Sequence, residues 1–279
     1  MRSLLFLMLF IPLLGIAQNK RKGKVSNSKG TLFAEVGLNK TNYLSNSVQF
    51  QGIGYDFTLA NGNPQDNIIG ANGPQIDAKI GYYVGKHWAL NLGYNRMNYR
   101  YYDNGAVTIN GKINPGVDPS GYFSGSYVNQ LVSLDSNQFV FANEAISNFS
   151  LGLTRTDHLF AVGSQRNFLV ASNIGANLGA LVSNSTFNFV GKNETGTTSL
   201  SGINFSGNVG LRFEFFKKVY LLTNFTTGYH NQFSIRTREA ELNAKAVQGV
   251  WFTQFNAAIG MLFYIRPTND CRIASQLQH

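Results

Sequence analysis

The stretch "IDAKIGYYVGKHWALNLGYN", residues 76–95, decides the fold. Before the turn every second residue is apolar: Ile76, Ala78, Ile80, Tyr82 and Val84, with Asp77, Lys79 and Gly81 between them. After Gly85, Lys86 and His87 the alternation restarts, with Trp88, Leu90, Leu92 and Tyr94 against Ala89, Asn91, Gly93 and Asn95. A period of two marks a strand with unlike faces. The two runs therefore form a hairpin, and the question is which face meets water. A soluble sandwich would turn the small polar face outward. In a membrane barrel the apolar face would meet lipid and the polar face the lumen.

The same alternation recurs. "TLFAEVGLNKTNY" sets Leu32, Ala34, Val36 and Leu38 against Phe33, Glu35, Gly37 and Asn39. "NFSLGLTR" (148–155), "FLVASNIGANLGALV" (168–182) and "INFSGNVGLRFEF" (203–215) follow. "VYLLTNFTTGYHN" (219–231) and "VWFTQFNAAIGMLFYIRP" (250–267) close the series. These runs mostly exceed the five or six residues usual for soluble strands and suit the roughly 9–11 that a tilted membrane strand needs. Their polar face is Gly, Asn, Ser and Thr rather than Lys and Glu, which suits a crowded lumen.

Connections alternate in length. The long ones fall at about 45–74, 102–144, 183–201 and 232–247; the short ones are "GKH", a stretch around 157–167, and Lys217-Lys218. Long loops on one side and short turns on the other are the habit of outer-membrane barrels. The expectation is an all-β protein: an eight-stranded antiparallel transmembrane β-barrel with four long extracellular loops and short periplasmic turns. Its apolar face meets hydrocarbon, and its sheet must close because lipid cannot satisfy an open edge.

The start of the chain fits export. Arg2, the apolar run "LLFLMLFIPLLGI", and Gly15 and Ala17 at small-residue positions read as a signal peptide over 1–17. Residues 18–30 form a basic flexible periplasmic lead-in, 31–266 the barrel and 267–279 a C-terminal tail. Six of the 23 basic residues lie at Arg2, Lys20, Arg21, Lys22, Lys24 and Lys29, so the formal charge of +9 is concentrated at one end and does not mark a nucleic-acid surface. The single cysteine, Cys271, excludes an intramolecular disulfide.

The arrangement is similar in architecture to the small eight-stranded outer-membrane proteins A and X. It resembles more closely the uncharacterised outer-membrane β-barrel proteins of Bacteroidota. The resemblance rests on "GYDFTLAN", "GYYVGKHWALNLGYNRMNY", "FFKKVYLLTNFTTGYHNQFSIRT" and the "GIAQ" cleavage region. It implies a cell-envelope barrel and no known activity.

Six charged residues fall on the expected lumen face: Glu35, Asp77, Lys79, Arg212, Glu214 and Arg266. Desolvated charges must pair, so an internal network plugging a narrow barrel is expected in preference to an ion path. Glu35 and Lys79 lie at similar depth on neighbouring strands and should pair. Arg96 and Arg155 should face lipid near opposite ends, where they can snorkel. Tyr99, Tyr101 and Tyr102 read as an outer aromatic belt. His230 reads as a rim residue, His87 and His158 as turn residues, and Ser234 as a loop residue. His279 ends the sequence.

No catalytic, cofactor-binding or metal-binding constellation stands out. "NGNPQDN" and "DNG" lack calcium-loop spacing. The expected function is a non-enzymatic outer-membrane protein with a structural or loop-mediated binding role. Alternatives are a small porin or transport channel of ten or more strands, and a lipid A-modifying enzyme. A ten-stranded barrel would draw "AVTINGKI" and "YVNQLVSL" into the ring; the expectation is a hairpin projecting beyond it. Expected partners are outer-membrane lipid and lipopolysaccharide and an extracellular ligand at the loops, with no nucleic acid. The protein is expected to be a monomer in the outer membrane.

Overall fold

A computed structural model describes residues 29–62, 64–65, 69–70, 73–101, 106–134, 139–162, 167–189 and 196–265. The leader, most of the basic lead-in, Tyr102, Arg266, Cys271 and the C-terminal tail lie outside the described residues. Twelve strands of seven or more residues carry the fold. They are β1 (Thr31–Tyr43), β2 (Asn46–Gly52), β3 (Tyr55–Gly62), β4 (Ile76–Tyr83), β5 (Trp88–Tyr101), β6 (Ala106–Ile113), β7 (Gly125–Ser133), β8 (Phe139–Val162), β9 (Phe168–Phe189), β10 (Thr197–Phe215), β11 (Val219–Arg236) and β12 (Lys245–Tyr264). Among the described residues no helix is long and apolar enough to cross a membrane.

Eight of these strands form a closed antiparallel ring in the order β1-β4-β5-β8-β9-β10-β11-β12, with β12 returning to β1 along Thr31↔Tyr264 to Tyr43↔Phe252. Hydrogen-bonded partners followed once round from Phe168 pass through Phe215, Val219, Met261, Ala34, Ile80, Leu92 and Leu151. They return to β9 at Leu178, ten residues farther along. This displacement is the shear of the ring, and its even value keeps one face inward on every strand. With about 3.3 Å per residue and about 4.8 Å between strands, it gives a tilt of about 41° and a backbone radius of about 8 Å. Only side chains fill an interior of that width.

At one end the connections are tight. His87, Phe216 and Lys217 take the left-handed conformation there, with φ of 72°, 53° and 60°. At the other end strands continue past the ring. The start of β12 pairs with β2, β2 with β3, β3 with β6, and β6 with β7. "AVTINGKI" and "YVNQLVSL" therefore pair with each other, outside the ring.

Beyond the ring the pattern inverts: apolar residues face in and polar residues face out. Phe187 and Phe189 are buried and Asn188 is half-buried; Phe50 and Phe57 are buried while Gln49 and Asp56 are not. These rings pack with Phe139, Phe141 and Tyr55 in one aromatic core, for example Phe50 edge-on to Phe141 at 4.9 Å and stacked on Phe187 at 5.0 Å. The inversion corrects the loop boundaries read from sequence. β9 runs to Phe189 and β10 begins at Thr197; β11 runs to Arg236 and β12 begins at Lys245. The expected loop 183–201 is therefore mostly strand, and 232–247 is half strand. Ser234 lies within β11, and His158 within β8.

Candidate functional site

The ring presents an apolar outer face. Leu32, Val36 and Leu38 of β1, Ile80, Trp88, Leu90 and Leu92, and Phe255, Ile259, Met261 and Phe263 of β12 are all exposed. Between them, the inward residues are buried. On β12 the outward run from Trp251 to Phe263 rises about 30 Å at the tilt given above. Aromatic residues sit towards the loop end, where Tyr94 meets Phe149 at 5.2 Å and Tyr229 meets Trp251 at 5.1 Å. Arg96 and Arg155 are on the outer face. Arg155 binds Asp157 (Nε to Oδ2, 2.7 Å) and lies over the Trp88 ring.

The lumen has three layers. The layer nearest the turn end holds the charges. Lys79 Nζ lies 3.1 Å from Glu35 Oε1, the two being direct partners across β1 and β4. Tyr220 OH donates to Glu35 Oε2 at 2.9 Å. Arg212 pairs with Glu214 and donates to Tyr83 OH at 2.7 Å, with its guanidinium 5.1 Å from the Tyr220 ring centroid. Tyr83 OH in turn reaches Thr156 Oγ1 at 2.9 Å. The chemistry of this layer is therefore two ion pairs joined through Tyr220, whose hydroxyl binds Glu35 and whose ring lies under the Arg212 guanidinium. Phe33, Tyr83, Tyr220, Leu222 and Leu262 pack around them. Small residues make room: a Cβ added at Gly81 would strike the Phe33 ring, and one at Gly260 the Tyr220 ring.

The middle layer is amide-rich. Asp77 accepts from Asn256 Nδ2 at 2.9 Å and from Asn95 Nδ2 at 3.4 Å. Gln254 donates to Asn39 Oδ1 at 2.9 Å and to Thr41 Oγ1 at 2.8 Å. A cavity of about 40 Å³ lies here, among Asp77, Lys79, Asn148, Asn204, Asn224 and Asn256.

The third layer closes the loop end. Met97, Tyr43 and Phe252 are buried there and join the aromatic core above. His230 is fully buried, with its ring centroid 4.3 Å from that of Phe252 and 6.3 Å from that of Tyr43. It is thus an interior residue and not a rim residue, because the lumen continues upward past the belt. Tyr99 and Tyr101 also point inward and are corrected in the same way. Tyr99 OH donates to Gln232 Oε1 at 3.2 Å, and Tyr101 OH donates to Asn46 Oδ1. Burial holds the Tyr101 hydroxyl's pKa well above its ordinary value. Parity alone separates these tyrosines from the belt, since Tyr94 and Trp88 are even-numbered on the same strand.

Of the six charged residues named from sequence, the structure brings together Glu35 with Lys79, and Arg212 with Glu214; Asp77 is held by amides, and Arg266 lies outside the described residues. The reading from sequence missed Tyr220, which touches both pairs, and Tyr83, which binds Arg212. No group of three or more His, Cys, Asp or Glu side chains among the described residues could hold a metal ion.

The class of architecture is therefore a closed antiparallel ring with an apolar outer face and a filled interior. No family model matches the chain, and no curated protein matches it. Among solved structures it is similar to Neisserial surface protein A, at 11% identity and a TM-score of 0.37, covering 84% of this chain and 98% of that one. It is also similar to the outer membrane protein OprG of Pseudomonas aeruginosa, at 13% identity and a TM-score of 0.38, covering 86% and 100%. The outer membrane protein AlkL gives 11% identity, a TM-score of 0.40 and coverage of 91% and 99%. These neighbours are small outer-membrane proteins. At such scores the likeness carries no statement about the activity of this chain.

Proposed function

We propose that this protein is an eight-stranded outer-membrane β-barrel with no enzymatic activity, acting as a structural or binding element through the folded end beyond the ring. The observation that carries this reading is the pairing of a belt with a blocked lumen. An outer face that stays apolar for about 30 Å matches the hydrocarbon thickness of a bilayer. Large apolar faces of that extent do not persist in water. The ion-pair layer and the aromatic core close the interior at both ends of the amide-rich cavity.

In this reading the tight turns lie in the periplasm and β2, β3, β6 and β7 stand outside the cell. The chain is exported behind a cleaved signal peptide, is monomeric, and touches outer-membrane lipid and lipopolysaccharide. The residues quoted for the resemblance support a Bacteroidota source. An extracellular ligand would meet the β2–β3 and β6–β7 hairpins, and nucleic acid is not a partner. A porin role is disfavoured by the ion-pair layer. A lipid A-modifying role is disfavoured by His230, which packs against aromatic rings instead of a nucleophile.

Planar-bilayer recording of the refolded full chain tests the closed lumen. The expected result is no stepwise open-channel conductance. Sustained single-channel currents would overturn the reading in favour of a pore.

A further inference from the structure

Asp77 of the middle layer and the charged layer next to it are together short of positive charge. Glu35, Asp77 and Lys79 are inward-facing neighbours on β1 and β4, and they carry two carboxylates to one ammonium. The lysine lies 3.1 Å from Glu35, which also accepts from Tyr220. Asp77 accepts only neutral amide N–H groups, from Asn95 and Asn256. Arg212 and Glu214 balance each other in the charged layer. Lys79 faces both carboxylates, so one buried negative charge is left over, and amide hydrogen bonds replace only part of its hydration.

The same place has a surplus of acceptors. The side-chain oxygens of Asn148, Asn204, Asn224 and Asn256 are buried and accept no hydrogen bond. All four residues line the cavity beside Asp77 and are less than a tenth exposed. Asn256 joins the two observations, since its amide nitrogen is bound to Asp77 and its oxygen is left over. Water could donate to these oxygens but would leave the charge uncompensated. A cation answers both needs, because it neutralises the carboxylate and takes only acceptors.

We propose that the mid-lumen cavity binds a monovalent cation of the sodium–potassium kind, with the Asp77 carboxylate as its anionic ligand and asparagine oxygens in its shell. About 40 Å³ admits one ion and one or two waters, since a single water needs roughly 10–15 Å³. One carboxylate among neutral oxygens suits a single positive charge. Calcium sites typically collect several carboxylates, and magnesium keeps most of its water. The ion is structural and enters as the barrel closes.

The test refolds the full-length protein in sodium chloride, potassium chloride or N-methylglucamine chloride at equal ionic strength and measures the thermal unfolding midpoint. The midpoint should be several degrees higher in sodium or potassium than in N-methylglucamine, which is too large for the cavity. Asp77→Asn should remove that difference. Crystals of the unmodified protein grown with rubidium should show an anomalous peak within the cavity, a measurement that does not depend on the variant folding. Equal midpoints in all three salts, with no rubidium peak, would overturn the site. Retention of the full salt difference in Asp77→Asn would overturn it as well. Conductance is read separately in bilayers, so a failure here is distinct from a failure of the closed-lumen reading.

Discussion

Glu35 and Lys79 show how far single residues carry the argument. Their parity and their depth from the turn end are both visible in the sequence, and together they place the pair across β1 and β4. Tyr220 is not visible in the same way. It sits on β11, far along the chain, and reaches Glu35 over the intervening strand β12 because Gly260, the register partner of both, leaves room for its ring. The energetic consequence is testable. Removing one member of a buried pair strands the other, at about 3–5 kcal/mol, whereas removing both can cost far less. Lys79→Met should therefore lower unfolding stability more than Glu35→Gln combined with Lys79→Met. Chemical denaturation in detergent measures it, and additive losses in the double-mutant cycle would show that the two side chains do not interact.

At the scale of elements, the strands of the ring were legible and their upper ends were not. The reason lies in solvent. Along the belt, apolar residues face out and amides face in, which is the contrast the alternation reveals. Past the belt the outside is wet and the inside is aromatic, so Tyr99, Phe187 and Phe189 continue the same period with reversed sign. A search for apolar-out alternation stops at that reversal and writes the remainder as loop. The reversal also predicts how charge is tolerated along a strand. Leu211 of β10 is outward within the belt, and Asn231 of β11 is outward beyond Tyr229. Leu211→Arg should reduce assembly sharply, since arginine at mid-bilayer costs about 2–4 kcal/mol, while Asn231→Arg should assemble nearly as the parent does. Folded yield in liposomes measures both. Equal yields would place Leu211 away from lipid.

At the scale of the whole molecule, closure dominates. No ring strand has a free edge along the belt, so the folded form should resist detergent until heated and run differently on gels before and after boiling. Identical mobility in the two lanes would count against a closed ring. The overall count needed the structure. Eight ring strands and four outer strands both read as period-two segments, and only pairing distinguishes the β6–β7 hairpin from a ninth and tenth member of the wall.

The seam between β1 and β12 has a kinetic meaning. Thr31 pairs with Tyr264, so the first strand of the ring waits for the last. Contacts between residues so distant in sequence are slow to form, because the chain must surrender its loop entropy before they reward it. Every neighbouring pair of ring strands can zip as a local hairpin or crossover, but the seam cannot begin until residues 245–264 have been made. Until then the nascent sheet has two raw edges, one at each end of its order. Assembly therefore has a single late commitment step, and the interval before it is when the chain is most open to aggregation and most in need of a helper that occupies those edges.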